Sequence, residues 1–568
     1  DGHINENGGK YNGMDRYECR KAIVKDLEEQ GYLIKTEDYS HNVGTCYRCH
    51  NDVEPLISAQ WFVKMAPLAK EAIRVVKDGT IKFVPERFTK TYTNWMENVH
   101  DWCISRQLWW GHQIPAWTCD DCGHINVSRE DPTRCEKCGS THLTREEDVL
   151  DTWFSSALWP FSTLGWPDKG AKDLQYWYPT SVLVTGYDII FFWVARMIMA
   201  GYEYRGEKPF GNVYFTGIVR DKIGRKMSKQ LGNSPDPLDL IAKYGADGMR
   251  MAMLISSSAG NDVMFDEALC EQGRNFGNKI WNAYRLVNGW SADDKAAQDD
   301  NNRLAVEWFR QTLGRALRQI DEDFRSYRIS EAFMTAYKLF WDDFSGLYLE
   351  MVKPAYGQPV DAETFAATCG FFDELMRVLH PFMPFVTEEI WQDLAPRKEG
   401  ESICTAPMPQ PVEADERLLA RFELAKEAIS SVRNIRNQKN LPQKEALTLK
   451  VIADENYPAE YAPVMRKMAN LTAVETVTEK DPAAAAFIVK TTQYFVPMAG
   501  KIDVEAEIGK LTESLAYYEG FLASVMKKFS NERFVQSAPE KVVMNERAKQ
   551  ADAEAKIAAI REQLAALK

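Results

Sequence analysis

Between residues 119 and 138 the chain carries two Cys-x-x-Cys pairs, Cys119 with Cys122 and Cys135 with Cys138, parted by a short polar stretch containing Gly123, Asp131 and Pro132. No other feature restricts its surroundings so tightly, because four thiolates at this spacing can close on one tetrahedral ion. The pattern predicts a structural Zn²⁺ site in an insert at about residues 116–145; a reduced, metal-free loop is the plainer alternative. A closed four-sulfur site has no open coordination position, so the ion would brace the insert rather than catalyse. Cys46 and Cys49 form a third pair without a fourth, a half-site expected to be metal-free or to close as a strained disulfide on oxidation. The remaining five of the eleven cysteines, Cys19, Cys103, Cys270, Cys369 and Cys404, stand alone and read as packing residues.

A second constraint is chemical. In Gly224-Arg225-Lys226-Met227-Ser228-Lys229-Gln230-Leu231-Gly232-Asn233 two ammonium groups lie three residues apart on a loop between glycines. Lysine is a compact charge on a flexible stem, so Lys226 and Lys229 can follow a triphosphate as charge moves onto leaving pyrophosphate. Gly224 and Gly232 supply the backbone freedom for such a loop to close and reopen. Taken alone, the same residues describe an ordinary solvated loop.

The formal net charge of −13 argues against indiscriminate binding of polyanions, so a nucleic-acid partner must be held by local basic patches. One candidate is the stretch 432–444, where Arg433, Arg436 and Lys439 occur with no acid between them, and where Arg433 and Arg436 share a face if the segment is helical. A solvated helix explains it equally well. The apolar run 182–202 is long enough to span a bilayer, but Asp188 and Arg196 inside it are costly in lipid and predict a soluble core.

Several blocks carry a family resemblance. Lys226-Met227-Ser228-Lys229-Gln230 resembles the KMSKS signature of class I aminoacyl-tRNA synthetases, departing from it only at Gln230. The run from Asn94-Trp95 through Asp101-Trp102-Cys103-Ile104-Ser105-Arg106 to Pro115, and Asp148-Val149-Leu150-Asp151-Thr152-Trp153-Phe154-Ser155-Ser156, resemble blocks of the synthetases for branched aliphatic amino acids. Within that group Trp153 to Phe161 and Gly186 to Met197 resemble the valyl-tRNA synthetases, where the isoleucyl enzymes usually have a Gln-His stretch in place of Ile189-Ile190-Phe191-Phe192. The second class I signature, HIGH, is missing: none of the eight histidines sits in such a sequence. The resemblance therefore implies the C-terminal part of a longer enzyme, inactive by itself and, with only the tail of the editing insertion, unable to edit.

The fold class implied is α/β plus all-α. Residues 1–58 would be the tail of the editing insertion, and 59–234 the second half of a Rossmann-like catalytic fold carrying the cysteine insert. Residues 235–275 would contact the tRNA stem, 276–446 would form a helical anticodon-binding domain, and 447–502 a small α/β linker. The last segment, 503–568, would be a C-terminal antiparallel coiled-coil arm. Its heptad stripe, Ile508, Leu511, Leu515, Tyr518, Leu522, Val525 and Phe529, is answered by Val543, Ile557, Ile560, Leu564 and Leu567, and predicts a hairpin of roughly 40 Å at 1.5 Å per residue. A generic dimerising coiled coil fits the same stripe.

The resemblance also implies roles. Gly186 and Asp188, with Lys226, Met227, Ser228 and Lys229, would hold ATP with Mg²⁺; Asp188 as a helix N-cap is the structural alternative. Trp153, Ile189 and Trp193 would wall a valine pocket, although tryptophans at helical spacing are more often plain core. Lys527, Lys528 and Arg533 near the arm's tip, with Arg433, Arg436 and Lys439, would meet tRNA-Val. The parent would be a cytoplasmic, monomeric valine–tRNA ligase. An isoleucyl enzyme and a stand-alone tRNA-binding module are the competing readings.

Overall fold

The computed structural model describes residues 2–46, 49–54, 57–228, 231–481, 484–498, 504–529 and 540–567. The chain divides into two units. One comprises Asp1–Asp78, Tyr92–Pro179 and Phe191–Pro209, the other Gly79–Thr91, Thr180–Ile190 and Phe210–Lys568.

In the first unit the helix Arg16–Glu29 starts where the Asp15 carboxylate accepts the Tyr17 and Glu18 N–H groups, and Gly31 follows it with φ +75°. The helices Met65–Lys77 and Ala195–Arg205 face each other through apolar stripes that bury Ala69, Ala72, Val75 and Val76 on one and Met197, Ile198 and Ala200 on the other. The second of these ends at Gly206, whose φ of +73° closes the last turn by donating to Tyr202 O. A small core of Ala157, Phe161, Leu174, Tyr178 and Ala200 lies beside them. The insert is a three-stranded antiparallel sheet with Ala116–Cys119 between Ile125–Val127 and Leu143–Arg145.

The second unit holds a parallel sheet of three strands, in which Phe210–Thr216 lies between Lys82–Val84 and Thr180–Gly186. The strand Thr180–Gly186 ends on the glycine expected at the nucleotide. Beyond it the chain becomes helical, from Pro237–Tyr244 and Ala246–Ser256 through the long helices Glu267–Asn288, Asp300–Arg325, Ala362–Leu379 and Glu416–Gln438. Phe276, Phe309, Phe340, Phe344, Tyr348 and Phe372 are fully buried in one continuous aromatic core, much of it edge-to-face. In the segment expected to be a small α/β linker, the strand Leu447–Ile452 belongs to a four-stranded mixed sheet covered by Ala462–Met468.

At the C-terminus, Val504–Phe529 and Glu540–Leu567 pack along each other. Ion pairs between Glu519 and Arg561 and between Lys528 and Glu546 give an antiparallel order. The expected stripe on the first helix is its least exposed face, with Val525 buried. On the second helix the inward face also takes in Glu546 and Ala553, which the heptad reading passed over. Glu546 is tolerated there because Lys528 and Lys549 both donate to its carboxylate. The turn carrying Arg533, and the side chains of Val543 and Leu567, lie outside the described residues.

Candidate functional site

In open parallel sheets ligands gather at the carboxyl ends of strands. In the second unit Gly186 and Thr216 are paired across two such ends. A side chain at Gly186 would meet the Asp188 carboxylate at 2.6 Å, so glycine lets that exposed carboxylate fold back beside the strand end. Asp188 sits inside the 3-10 turn Tyr187–Ile189, and Gly186 is its cap, so the N-cap alternative for Asp188 is not what the backbone forms. Immediately past Thr216, a Cβ on Gly217 would lie 1.7 Å from the Asn261 carbonyl oxygen, leaving room only for hydrogen. This close approach sets Asp262 beneath the loop. Its carboxylate accepts Ile218 N–H at 3.0 Å, the Tyr187 hydroxyl at 2.8 Å and the Arg220 guanidinium. The Ile218 amide first, then Arg220, bring Asp262 down to about 2.

The lysine loop follows. Asp221 accepts Arg225 N–H and Arg225 Nε, each at 2.8 Å, and Asn233 Nδ2 at 3.0 Å. The Asn233 amide first, then the Arg225 guanidinium, hold its carboxyl far below the usual carboxylate range. Asn233 Oδ1 in turn accepts Ser228 N–H at 2.9 Å. Asp221 and Asn233 thus clamp both ends of the loop, and Gly224 and Gly232 take φ of +84° and +62° at its bends. Lys226 is exposed, while Met227 and Ser228 are half-buried. Lys229 and Gln230 lie outside the described residues. The sequence flagged the lysines and missed Asp221, Asn233, Gly217 and Asp262; only the Asp-x-x-Gly turn at 221–224 was a signal.

In the first unit Trp153 follows the N-cap Asp151 and stacks on Phe192 at 5.8 Å between ring centroids, and Trp193 donates its indole N–H to Ser156 O at 2.9 Å. With its polar atom used, Trp193 presents carbon surface. Ile189 belongs to the second unit. Asp151, buried, accepts Trp102 Nε1 at 2.9 Å and Arg106 Nη2 at 2.7 Å, with Arg196 Nη1 at 3.7 Å. Arg196 stacks on Trp102, its guanidinium carbon 3.6 Å from the ring centre, and burial lowers it to about 10 against the pull of Asp151. Arg196 is thus ion-paired with Asp151, while its Nε and Nη1 are buried without a hydrogen-bond partner among the described residues. Trp102 and Arg196 border an apolar cavity of about 180 Å³ floored by Leu68, Phe154 and Met199; Trp153 and Trp193 are not among its lining residues.

The four insert cysteines converge, their sulfurs all within 4.8 Å of one another. Each knuckle uses the same backbone: Cys119 N–H donates to His124 O and Cys135 N–H to Ser140 O, while Gly123 N–H returns to Cys119 O and Gly139 N–H to Cys135 O. Gly123 and Gly139 take φ of +66° and +75°. Burial would raise the Cys135 thiol, but the N–H groups of Cys138 and Lys137 bring it down to about 6, suiting it to a thiolate ligand. The donor set fits a tetrahedral zinc ion. Cys46 repeats the pattern, donating to Asn51 O and accepting from His50 N–H, with His50 at φ +59°. Among the described residues no group of three or more possible ligands includes Cys46 or Cys49.

One expected nucleic-acid contact is overturned. Arg436, 1% exposed, spends its guanidinium on the carbonyls of Pro442, Glu445, Ala469 and Asn470 and ties the helix Glu416–Gln438 to the small α/β sheet, so it faces no solvent. Arg433 is exposed but donates to Met468 O, and Lys439 is half-buried. Lys527 and Lys528 are exposed on the arm.

Residues 17–266 match the family described as tRNA synthetases class I (I, L, M and V), 306–452 the anticodon-binding domain of tRNA ligase, and 503–568 the valyl tRNA synthetase tRNA binding arm. Over its whole length the chain is 55% identical to a valine–tRNA ligase of Parabacteroides distasonis and 53% identical to one of Phocaeicola vulgatus, covering 66% of each. The chain belongs to the class I aminoacyl-tRNA synthetases, in their valyl branch. It spans just under two thirds of the length of these curated relatives; against a valine–tRNA ligase of Thermotoga maritima it is 47% identical over 95% of its own length and 62% of that relative. The isoleucyl alternative gives way to these matches. Membership also accounts for the parallel sheet with a basic loop at its carboxyl end and for the helical region behind it. No helix among the described residues is long and apolar enough to cross a membrane.

Proposed function

We propose that the chain forms part of a cytoplasmic, monomeric valine–tRNA ligase, in which ATP and valine give valyl-adenylate and pyrophosphate and the valyl group then passes to the terminal adenosine of tRNA-Val. The observation that carries this reading is the loop 224–233, clamped at the carboxyl end of the parallel sheet by Asp221 and Asn233, in a chain that aligns throughout with valine–tRNA ligases. Lys226 and Lys229 would stabilise charge on the phosphates, with Mg²⁺ sharing that load, while Gly186 and Asp188 would position the adenosine and its ribose. Trp153 and Trp193 would present apolar walls to the valine side chain. Zn²⁺ on Cys119, Cys122, Cys135 and Cys138 would brace the insert. Arg433, Lys439 and the arm lysines would meet tRNA phosphate. A stand-alone tRNA-binding module has no use for a clamped lysine loop.

The test is a filter-binding titration of the chain with tRNA-Val and tRNA-Ile transcripts at two salt concentrations, with and without residues 504–568. Tighter binding of tRNA-Val that weakens when the arm is removed supports the assignment. Equal affinity for the two transcripts overturns tRNA-Val selection by this chain.

A further inference from the structure

Cys404 stands alone in the sequence, yet in the helical region it is not alone. The helix Ala362–Leu379 ends at His380, Pro384–Leu394 carries Glu388, and the short turn Ile403–Thr405 carries Cys404. One ligand atom from each of His380, Glu388 and Cys404 lies within 4.8 Å of the other two, and His380 Nε2 is 3.2 Å from Cys404 Sγ.

The surrounding hydrogen bonds orient all three. The Thr387 hydroxyl donates to Met383 O at 2.7 Å, so toward His380 Nδ1, 2.8 Å away, it can only accept. Nδ1 must then carry the imidazole proton, which leaves the Nε2 lone pair aimed at Cys404. Fixing the far nitrogen of a ligating histidine in this way is the usual support of a metal site. Glu388 Oε2 accepts Ser402 Oγ–H at 2.8 Å and Ile403 N–H at 3.2 Å, and Oε1 accepts Gln392 at 2.7 Å. A carboxylate offers about four lone-pair positions, so one remains, on Oε1. Ser402 Oγ also accepts Cys404 N–H at 3.2 Å, so the bonds that hold Glu388 also set the thiol's place. Cys404 is exposed, which gives an ion a path in.

We propose that His380 Nε2, Cys404 Sγ and Glu388 Oε1 form a second divalent-cation site, selective for Zn²⁺ and separate from the four-cysteine insert. Imidazole, thiolate and carboxylate together suit zinc over the harder magnesium or calcium. Bond lengths of about 2.0–2.1 Å to nitrogen and 2.3 Å to sulfur at a tetrahedral angle put the two donors about 3.6 Å apart. The pair therefore needs to open by only a few tenths of an ångström. Binding replaces the thiol–imidazole hydrogen bond, and the Cys404 proton leaves to solvent. Three protein ligands leave the fourth position to water. The ion cross-links a helix end, the next helix and the turn beyond it.

The test is zinc content and affinity of the whole chain, stripped with chelator, reloaded with Zn²⁺ alone, dialysed and measured by elemental analysis. The unsubstituted chain is expected to hold one zinc equivalent more than Cys404→Ala or His380→Gln, with unchanged circular dichroism. Thr387→Val keeps all three ligands and the shape of the buried side chain but frees the imidazole to turn, and is expected to weaken this equivalent roughly 10–100-fold. In the Co²⁺-loaded protein, Cys404→Ala is expected to remove one sulfur-to-cobalt absorption component and leave the component from the insert. Equal zinc content in the unsubstituted and Cys404→Ala chains overturns the site and leaves a plain thiol–imidazole hydrogen bond. Undiminished affinity in Thr387→Val overturns the orienting role of Thr387.

Discussion

At single positions the structure turns on groups with no space or no solvent. Gly217→Ala must drive a methyl into the Asn261 carbonyl at 1.7 Å, a backbone atom that cannot swing aside as a side chain can. The expected loss is about 1–3 kcal/mol in urea unfolding, typical of overpacking. Arg436→Ala removes four hydrogen bonds from a buried guanidinium to backbone carbonyls and is expected to cost roughly 3 kcal/mol, with the salt dependence of tRNA binding unchanged. Asp343, in the π-helical stretch Leu339–Tyr348, is raised to about 6, chiefly by burial and against the pull of Lys426. Its folded value lies above the unfolded one, so its favourable contribution is complete below about pH 4 and is lost as pH rises through about 6. Asp343→Asn is therefore expected to be more stable than the unsubstituted chain at pH 8 by about 1–2 kcal/mol, allowing for partial solvent screening, and equal to it near pH 4. None of this was legible in the sequence. Gly217, Arg436 and Asp343 take their roles from partners distant in the chain, and a run of basic residues looks alike whether it points to solvent or, as Arg436 does, into carbonyls.

Among elements, those with a periodic or spaced signal were legible. Four cysteines announced a convergent site, and a heptad stripe announced the arm. Glu546 escaped the heptad reading because a glutamate at an inward position is acceptable only with Lys528 and Lys549 beside it, and sequence does not show that pairing. Val525→Asp puts a charge into the buried seam without such partners. It is expected to separate the two helices, seen as lost ellipticity, and to weaken tRNA binding together with it. Chelation is expected to loosen the insert. Trypsin should then cut at Arg129 or Arg134, between the knuckles, while the helical signal of the remaining chain persists.

For the molecule as a whole, net charge and partner pull in opposite directions. A chain of formal charge −13 that holds tRNA must do so through few phosphate contacts. Replacing Lys527 with alanine is expected to lower the slope of log affinity against log salt by roughly 0.8, the share of one contact, and tRNA-binding titrations from low to moderate salt measure it. The division into two units was not legible, because each unit is assembled from stretches that leave and return, and no composition shift marks residues 79, 92, 180, 191 or 210. The parallel sheet shows what that interleaving entails. Its middle strand, Phe210–Thr216, is the last of the three to be synthesised, and among the described residues the outer strands Lys82–Val84 and Thr180–Gly186 pair only with it. On the ribosome, then, neither outer strand meets this shared neighbour until residue 216 is made, while the cysteine insert, whose bonds are local, can already close. The three strands beneath the lysine loop are joined only when residue 216 emerges, so a nascent chain arrested before that point can hold its cysteine knuckles without that pairing.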